Sequence, residues 1–251
     1  MTSSSRQKRN TVLIGIAASI LFLVYAGFRN GFFKTEWRYE EYGDGYRILS
    51  YTQSIFDDTT EISIPARYEG KDVVALDDKV FYRNRRIRTV IIPDTVTEIS
   101  ASVFKQCKRL REVRFGSNIT VIGGECFKDC TSLTKAILPD SVKEIRGEAF
   151  MGCSSLVTVE LPAHITEIKG NTFENCSSLK RIEIPAGVTR IAAHAFYGCT
   201  SLSEVIVPAT VREIGSSAFR LCKNLYRIEV PAGAEIDERA FKESPTNVTK
   251  Y

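Results

Sequence analysis

Six cysteines follow one another at a fixed interval of 23 residues. They are Cys107, Cys130, Cys153, Cys176, Cys199 and Cys222. Six thiols could form three disulfides in an exported protein. Stacked copies of one repeat, however, place equivalent side chains parallel and about 4.8 Å apart, whereas a disulfide needs Cβ atoms about 3.8 Å apart that point at each other. We therefore interpret the series as a structural ladder of small buried thiols.

The other residues that could do chemistry do not converge in the sequence pattern. Cys126 occupies an alanine position of the repeat, and His164 and His194 have no recurrent Ser, Cys or Asp near them. Asp57-Asp58 and Asp77-Asp78 are typical of solvated turns rather than of calcium ligands. A zinc site needs four ligands around one point, which a linear ladder does not provide. No glycine-rich phosphate loop, H-E-x-x-H or G-x-S-x-G motif occurs. The sequence predicts no catalytic residue, no metal site and no cofactor, and a chain that is not an enzyme.

A 23-residue repeat positions these side chains. Its phase marker is a phenylalanine that recurs at positions 81, 104, 127, 150, 173, 196 and 219, with Phe241 following after 22 residues. Three residues after each of the seven phenylalanines from Phe81 to Phe219 comes a cysteine, or Asn84 in the first copy, and three further on comes Ile or Leu. A period of this length is typical of a solenoid, in which each coil is stabilised by its neighbours.

One copy predicts the local structure. Val159 and Leu161 are two residues apart, which is the period of a strand with one face buried. Pro162 ends that strand because it cannot donate to a ladder, and Ile165 and Ile168 predict a second short extended segment. Phe, Cys and Leu then recur at i, i+3 and i+6, which favours a helical turn or short helix. We expect a repeat solenoid that is mostly β, with short helical turns.

The pattern Leu-x-x-Val-x-Leu-Pro-x-x-Ile-x-x-Ile, followed by Ala-Phe-x-x-Cys-x-x-Leu, resembles the BspA-type leucine-rich repeat. The resemblance covers Ile62 to about Phe241, and departures such as Asn84 for Cys and Gly116 for Pro are minor. It implies a leucine-rich-repeat fold and a bacterial or protist surface protein that binds host or matrix proteins, other cells or unidentified ligands. The family has no common catalytic site.

The residues before the repeat predict an export signal. A basic tail over residues 1–10 precedes an uncharged, mostly apolar segment over residues 11–28. About 18 apolar residues are just enough to cross a bilayer as a transmembrane signal anchor, and a basic start before an apolar run also fits a cleaved signal peptide. Both alternatives place the rest of the chain outside the cytoplasm, either membrane-anchored or secreted at the cell surface.

The remaining boundaries follow from turn signals and from the repeat. Residues 29–37 are interpreted as a linker. Residues 38–64 are interpreted as an N-terminal cap, because Asp44-Gly45 is a hairpin turn signal and strands are expected over Tyr46–Tyr51 and Glu61–Ile64. The leucine-rich-repeat solenoid is expected over residues 65–251. Its last copy carries Ser244 in place of Cys and fades into polar residues, which predicts a C-terminal cap.

The positions that the repeat leaves free are the candidate binding face. One outward side chain per strand varies in size and charge between copies, whereas the structural positions hardly vary. These outward residues are Ile91, Arg114, Ile137, Glu160, Glu183, Ile206 and Glu229. Three isoleucines on a solvated face indicate a partner surface, although β-formers on exposed strands also follow from propensity alone.

These features predict a non-catalytic, surface-exposed scaffold that binds a protein or another macromolecule, with adhesion as the function that the resemblance implies. Two other functions stay open: a structural or accessory subunit of a cell-envelope assembly, and an enzyme or small-ligand-binding protein. The partner's identity is not predicted. A membrane contact is expected through residues 11–28. Because the net charge is only +4 and no concentrated basic stripe is visible, nucleic acid is not an expected partner.

Overall fold

The computed structural model describes residues 35–251. The predicted tail (1–10), the predicted anchor or signal peptide (11–28) and most of the predicted linker (29–37) lie outside the described residues. Residues 35–251 include no helix with the length and apolar character that crossing a bilayer requires. The described chain divides into a small unit of residues 35–37 and 51–58 and a large unit of residues 38–50 and 59–251.

The small unit is held by local polar and ring contacts. The Thr35 hydroxyl donates to the Asp57 carboxylate at 2.7 Å and accepts from the Ser54 amide at 3.2 Å. The rings of Trp37 and Tyr51 lie 4.5 Å apart, centroid to centroid. These contacts join the two chain segments of which the unit consists.

In the large unit, one short strand per repeat forms a set that we call the front row. Its members are β3 (Glu61–Ser63), β6 (Thr89–Ile91), β8 (Glu112–Arg114), β10 (Lys135–Ile137), β12 (Thr158–Glu160), β14 (Arg181–Glu183), β16 (Glu204–Ile206), β18 (Arg227–Val230) and β20 (Asn247–Lys250). Strand pairing is parallel and joins β3-β6-β8, β10-β12, β14-β16 and β18-β20. From β6 to β18 the second residue of each strand is a buried Val, Ile or Ala, as the period of two in the sequence predicts.

A second strand per repeat forms the back row, as the Ile165 and Ile168 spacing predicts. Its members are β5 (Lys71–Leu76), β7 (Glu98–Ile99), β9 (Val121–Ile122), β11 (Glu144–Ile145), β13 (Glu167–Ile168), β15 (Arg190–Ile191), β17 (Glu213–Ile214) and β19 (Glu235–Ile236). These strands pair in parallel as β5-β7-β9-β11 and β13-β15-β17-β19. Each strand from β7 to β17 ends on a buried isoleucine. The core therefore lies between the two rows.

Three strands near the N-terminal end of the described chain belong to neither row. Strands β1 (Glu36–Tyr42) and β2 (Gly45–Thr52) are joined by a turn at Gly43-Asp44, one residue earlier than the predicted Asp44-Gly45 turn. Gly43 takes the left-handed backbone at φ 58°, which glycine adopts without strain. β2 pairs in parallel with β5 through residues 46–48, and β4 (Arg67–Tyr68) pairs with β5 in an antiparallel hairpin.

The predicted helical turn around each phenylalanine is wrong. The residues described contain no α-helix or 3₁₀-helix there, only consecutive turns. The reason is a left-handed residue two positions before and two positions after each phenylalanine from Phe81 to Phe219, which an L-residue helix does not admit. Those before are Lys79, Ser102, Glu125, Glu148, Asn171, His194 and Ser217; those after are Arg83, Gln106, Asp129, Gly152, Asn175, Gly198 and Leu221.

The left-handed residues allow a third ladder of main-chain hydrogen bonds between coils. Alternate amides in the turn segment point along the stack and donate to the next coil. The Ser102 amide donates to the Gly124 carbonyl at 2.9 Å, and the Phe104 amide donates to the Cys126 carbonyl at 2.8 Å. Equivalent bonds recur in each following coil, so the turn segments hold neighbouring coils together as the two strand rows do.

The chain ends on a strand that the sequence pattern did not predict. β20 pairs in parallel with β18, and the Tyr251 hydroxyl donates to the Val207 carbonyl at 2.8 Å. The Tyr251 amide also donates to the Val230 carbonyl at 3.1 Å. The last four residues before Tyr251 thus extend the front row by one strand.

Candidate functional site

The six cysteines of the predicted ladder are free thiols and are fully buried. Each thiol donates a hydrogen bond to the carbonyl oxygen of the phenylalanine 26 residues earlier, at 3.0–3.2 Å. Burial raises the pKa of the Cys107 and Cys222 thiols to about 12. Nucleophilic and metal-binding chemistry both need the thiolate, so the geometry of these residues suits packing and not reaction.

The ends of the ladder explain two departures from the repeat. Asn84 stands where the first coil would carry its cysteine, and its side-chain oxygen accepts the amides of Arg86 and Ile87 at 2.9 and 3.0 Å. Ser244 stands in the last copy. Its hydroxyl donates to the Phe219 carbonyl at 2.6 Å and accepts from the Cys222 amide at 2.9 Å. Ser244 therefore continues the hydrogen-bond series of the thiols.

The histidines and acidic pairs are not brought together. His164 is exposed, and His194 lies in a left-handed turn with its ring 5.5 Å from that of Tyr197. Asp77 pairs with Arg47, and the Asp78 carboxylate accepts the Ala101 amide at 2.9 Å. Across residues 35–251 no group of three His, Cys, Asp or Glu side chains could hold a metal ion.

The predicted binding-face residues all lie on the front row, with their side chains turned outward. We call this surface the front face and define it by Ile91, Arg114, Ile137, Glu160, Glu183, Ile206 and Glu229. Strand pairing places Ile91 beside Arg114, Ile137 beside Glu160, and Glu183 beside Ile206. Ile137 is 36% exposed and Ile206 38%. Each isoleucine has a charged residue beside it, so the three do not form one continuous apolar patch.

Strands β12 and β14 belong to adjacent coils but are not paired with each other among the described strands. A groove of about 640 Å³ opens between them. Apolar groups of Val157, Leu161 and Pro185 line it, and Val157 is 43% exposed. The predicted residues Glu160 and Glu183 lie on its walls.

The charges around this groove are only partly paired. Arg181 forms ion pairs with Glu204 at 2.8 Å and with Glu183 at 3.7 Å. Within the part of the chain that the structure describes, Glu160 and Lys180 form no ion pair. The groove thus combines an apolar lining with one carboxylate and one ammonium group that are available to a partner.

A second groove of about 470 Å³ lies between β16 and β18, which also do not pair among the described strands. Ile206 and Glu229 line it, together with Arg227 and the C-terminal Tyr251. Arg227 forms an ion pair with Glu229. Four of the seven predicted residues therefore line one of the two grooves, whereas Ile91, Arg114 and Ile137 lie outside both.

The chain also matches known sequences. The family profile described as "BspA type Leucine rich repeat region" matches residues 49–134, 74–199 and 120–248, in six copies. Together these ranges cover more than half of the chain. The chain belongs to the BspA-type leucine-rich-repeat family. Among curated proteins, none matches this BspA-type chain.

Solved structures share the fold of this BspA-type chain. The T. pallidum leucine-rich-repeat protein TpLRR superposes with a TM-score of 0.69 at 27% identity, over 75% of this chain and 87% of that one. A Bacteroides ovatus leucine-rich-repeat protein gives 0.60 at 22% identity, over 80% and 58%. A Faecalibacterium prausnitzii protein described as a leucine-rich cell surface protein gives 0.53 at 23%, over 82% and 84%. The last two show the fold alone.

The sequence pattern missed the apolar lining of the groove and the contribution of Tyr251. A signal was present for Val157. Equivalent positions in other copies of this BspA-type repeat hold Arg88, Arg111, Thr134, Lys180, Ser203 and Tyr226, so an aliphatic residue there is a departure. No such signal exists for Tyr251, because it follows the last repeat.

Proposed function

We propose that this BspA-type protein is a non-catalytic scaffold that binds another protein on its front face. One observation carries the proposal: most residues that recur between copies face inward, whereas residues that differ between copies, such as Val157, Glu160 and Lys180, line the β12–β14 groove beside the recurring Leu161 and Pro185. Selection for folding alone explains the inward set. It does not explain an apolar groove with unpaired charges at its rim.

The chemistry of the β12–β14 groove suits an amphipathic segment of a partner protein. Protein interfaces combine an apolar centre with a polar rim, and energetically dominant contacts lie in desolvated pockets. The exposed side chain of Val157 would contact apolar groups of the partner. Glu160 and Lys180 would pair with charges of opposite sign, and the two signs together would fix the partner's orientation.

We also propose that the protein works outside the cytoplasm, either anchored through residues 11–28 or released after their cleavage. The basic cluster followed by an apolar run supports export. The similar F. prausnitzii protein is described as a cell surface protein, which agrees with this location. Sequencing the N-terminus of the exported protein tests it: a start at Met1 supports the anchor, and a start after the Val24-Tyr25-Ala26 segment supports the signal peptide.

The division into a cap over residues 38–64 and a solenoid over residues 65–251 is part of the same proposal. Parallel sheets expose unpaired edges that promote aggregation unless they are covered. The pairing of β2 with β5 and the full burial of Ile48 support a capping role for the residues around β2. At the other end, the pairing of β20 with β18 supports a C-terminal cap.

The test of front-face binding is a charge-reversal variant, Arg114→Glu/Glu160→Lys/Glu183→Lys. Intact cells or host extracts are incubated with the full chain as bait, and captured proteins are quantified. We expect the variant to lose partner capture by at least about tenfold, since two charges of the β12–β14 groove, Glu160 and Glu183, and one further front-face charge, Arg114, change sign. Its melting temperature should stay close to that of the parent chain, because all three residues are exposed.

The matched control is Asp140→Lys/Lys143→Glu/Glu238→Lys. It reverses the same number of charges with the same signs at exposed positions off the front face. The control should capture the partner as the parent chain does. Equal capture by the front-face variant and the parent chain would contradict the proposal, as would equal losses in both variants.

A further inference from the structure

Away from the front face, a groove of about 830 Å³ lies at the corner of the first two phenylalanine-containing coils. Its lining consists of Arg83, Arg85, Arg86, Gln106, Lys108 and Arg109. Arg88 lies two residues after Arg86 and Arg111 two residues after Arg109, and the Arg111 amide donates to the Arg88 carbonyl at 2.8 Å. We define the basic corner as Arg85, Arg86, Arg88, Lys108, Arg109 and Arg111. It forms two rows of three cations on neighbouring coils.

The cations of the basic corner depart from the repeat. In the next four coils, the positions of Arg85 and Arg86 are occupied only by Ser or Thr. These residues are Thr131, Ser132, Ser154, Ser155, Ser177, Ser178, Thr200 and Ser201. The fold therefore needs only a small polar residue at these positions. A requirement of the solenoid does not account for four Arg or Lys side chains at the same positions of the first two coils.

Five of the six cations of the basic corner have no carboxylate partner among the described residues. The ion pairs of this stretch are Lys105–Glu125 and Arg114–Glu112. Among the described residues, none joins Arg85, Arg88, Lys108, Arg109 or Arg111 to a carboxylate. The coils are close together, since the Phe81 and Phe104 rings beneath stack at 5.1 Å. Like charges at this spacing repel each other, and six cations exceed the net charge of +4 of the whole chain.

The groove is also rigid at its base. The Arg83 guanidinium donates to the Gln106 side-chain oxygen at 2.7 Å and lies over the Tyr82 ring at 4.9 Å. The Gln106 amide group in turn reaches the Asp129 carboxylate at 3.5 Å. These contacts hold Arg83 and Gln106 as a floor, from which Arg85, Lys108 and Arg109 extend as exposed side chains.

We propose that the basic corner binds a linear polysaccharide that carries sulfate or phosphate groups. Arginine presents forked N–H donors that match tetrahedral oxyanions. Two parallel rows of cations along a groove suit a polymer with anions at regular intervals. Each bound anion also relieves the repulsion between neighbouring cations and releases counterions, which makes binding favourable and dependent on salt.

The lining of the groove argues against three other partners. No apolar side chain lines it, whereas a protein interface has an apolar centre. A bilayer is flat and would not reach into a groove. Proteins that bind single-stranded nucleic acid stack its bases on aromatic side chains, and the ring of Tyr82, the aromatic residue beside the groove, is covered by Arg83. Of these partners, a sulfated or phosphorylated polysaccharide is the one that needs only cationic and polar side chains for binding, and the groove presents these.

The test compares two variants of the full chain, each lacking four cations. The corner variant is Arg85→Thr/Arg86→Ser/Lys108→Thr/Arg109→Ser, which installs residues of the other coils. The control variant is Lys135→Thr/Lys143→Thr/Lys180→Thr/Arg212→Thr, and at each of these positions other copies also carry threonine. Heparin and phosphomannan serve as the sulfated and phosphorylated probes, with affinity measured by calorimetry at about 0.15 M salt.

We expect the parent chain to bind at least one of the two probes, and the tighter probe identifies the anion. The corner variant should lose at least about tenfold in affinity and show a shallower salt dependence. The control variant should lose less than about threefold. The melting temperature of the corner variant at low salt should equal or exceed that of the parent chain, because repulsion is removed.

Several results would overturn the proposal. One is that neither probe binds the parent chain, and another is that both variants lose affinity equally. A lower melting temperature of the corner variant would assign the cations a structural role instead. Tighter binding of single-stranded DNA, or of nanodiscs containing phosphatidylglycerol, than of either polysaccharide, lost in the same corner variant, would assign the surface to nucleic acid or to a membrane.

Discussion

Every buried thiol of the ladder serves as a hydrogen-bond donor as well as a packing group. The carbonyl that accepts the Cys130 thiol belongs to Phe104 and also accepts the Cys107 amide at 2.9 Å. The spacing of the cysteines predicted a buried ladder, but not these bonds, because a sequence does not show which atom lies opposite a side chain. Ser244 stands where the repeat would place a cysteine, and its hydroxyl makes the equivalent hydrogen bond to the Phe219 carbonyl. This bond explains why serine can end the series.

The thiols lead to a prediction about alkaline stability. Folding raises the pKa of Cys107 and Cys222 from an ordinary 9.0 to about 12, through burial. A raised pKa means that the folded chain keeps the proton where the unfolded chain loses it. The contribution of these protonated thiols to the free energy of unfolding is therefore complete below about pH 9, and it is lost as the pH rises toward 12. We expect the melting temperature to fall steadily over this window, measured by circular dichroism.

The substitution Cys126→Ala isolates the contribution of one thiol. Cys126 is fully buried with a raised pKa, and alanine occupies the equivalent positions 149, 195 and 218. The fall in unfolding free energy above pH 9 should be shallower in this variant by up to about 1.4 kcal/mol per pH unit. An identical alkaline slope in parent and variant would show that the buried thiols do not set it.

At the scale of the elements, the strands were predictable and the turn segments were not. Inward apolar residues two apart, such as Val159 and Leu161, recur in the copies and predict the front row, and the spacing of Ile165 and Ile168 predicts the back row. A spacing of three among Phe, Cys and Leu fits a helical turn and also fits the observed turns with left-handed residues. The left-handed position before each phenylalanine has no shared residue type, as Lys79, Glu125 and His194 illustrate, so no composition signal was available.

The back row presents mostly glutamates to solvent, with one arginine among them. Arg190 pairs with Glu167 at 2.7 Å and with Glu213 at 2.9 Å, on the coils before and after its own. Burial raises the pKa of Glu167, but hydrogen bonds from Lys169 and Arg190 outweigh this and lower it overall. Because Arg190 and Glu213 are each 45% exposed, solvent limits the strength of these pairs.

We expect Arg190→Ala to lower the free energy of unfolding by about 1 kcal/mol, since it leaves stacked glutamates without their shared cation. The loss should shrink at high salt, which screens the glutamate repulsion. Denaturant titration at low and high salt measures it. The control is Arg212→Ala, because this exposed arginine donates to main-chain carbonyls. The decrease in unfolding free energy in this variant should be smaller and insensitive to salt. A salt-independent effect of Arg190→Ala would argue against the charge mechanism.

At the scale of the whole molecule, comparing the copies of the repeat distinguishes residues that maintain the fold from residues proposed to bind partners. Residues that recur in every coil fill the core of the large unit, and residues that depart from the repeat define the front-face grooves and the basic corner. The basic corner was not predicted from the sequence, because the net charge of +4 averages over 251 residues. Aligning the copies at the repeat period would have revealed six cations where other coils mostly carry Ser or Thr.

The grooves themselves could not be predicted, because the outward residues were identifiable but the breaks in strand pairing were not. Glu160 and Glu183 occupy equivalent positions in a repeat that reads as continuous. In the structure, β12 and β14 do not pair, and Val157 becomes part of an open groove between them. The front-face binding claim therefore depends on an arrangement between coils rather than on any single copy.

The most direct test of that claim is site-specific photo-cross-linking on intact cells that express the chain. A benzophenone amino acid replaces Glu160 in the β12–β14 groove or, as a control, the exposed Asp140 off the front face. We predict that irradiation yields a discrete cross-linked partner from position 160 and none from position 140. Adducts of equal yield from both positions, or from position 140 alone, would contradict front-face binding.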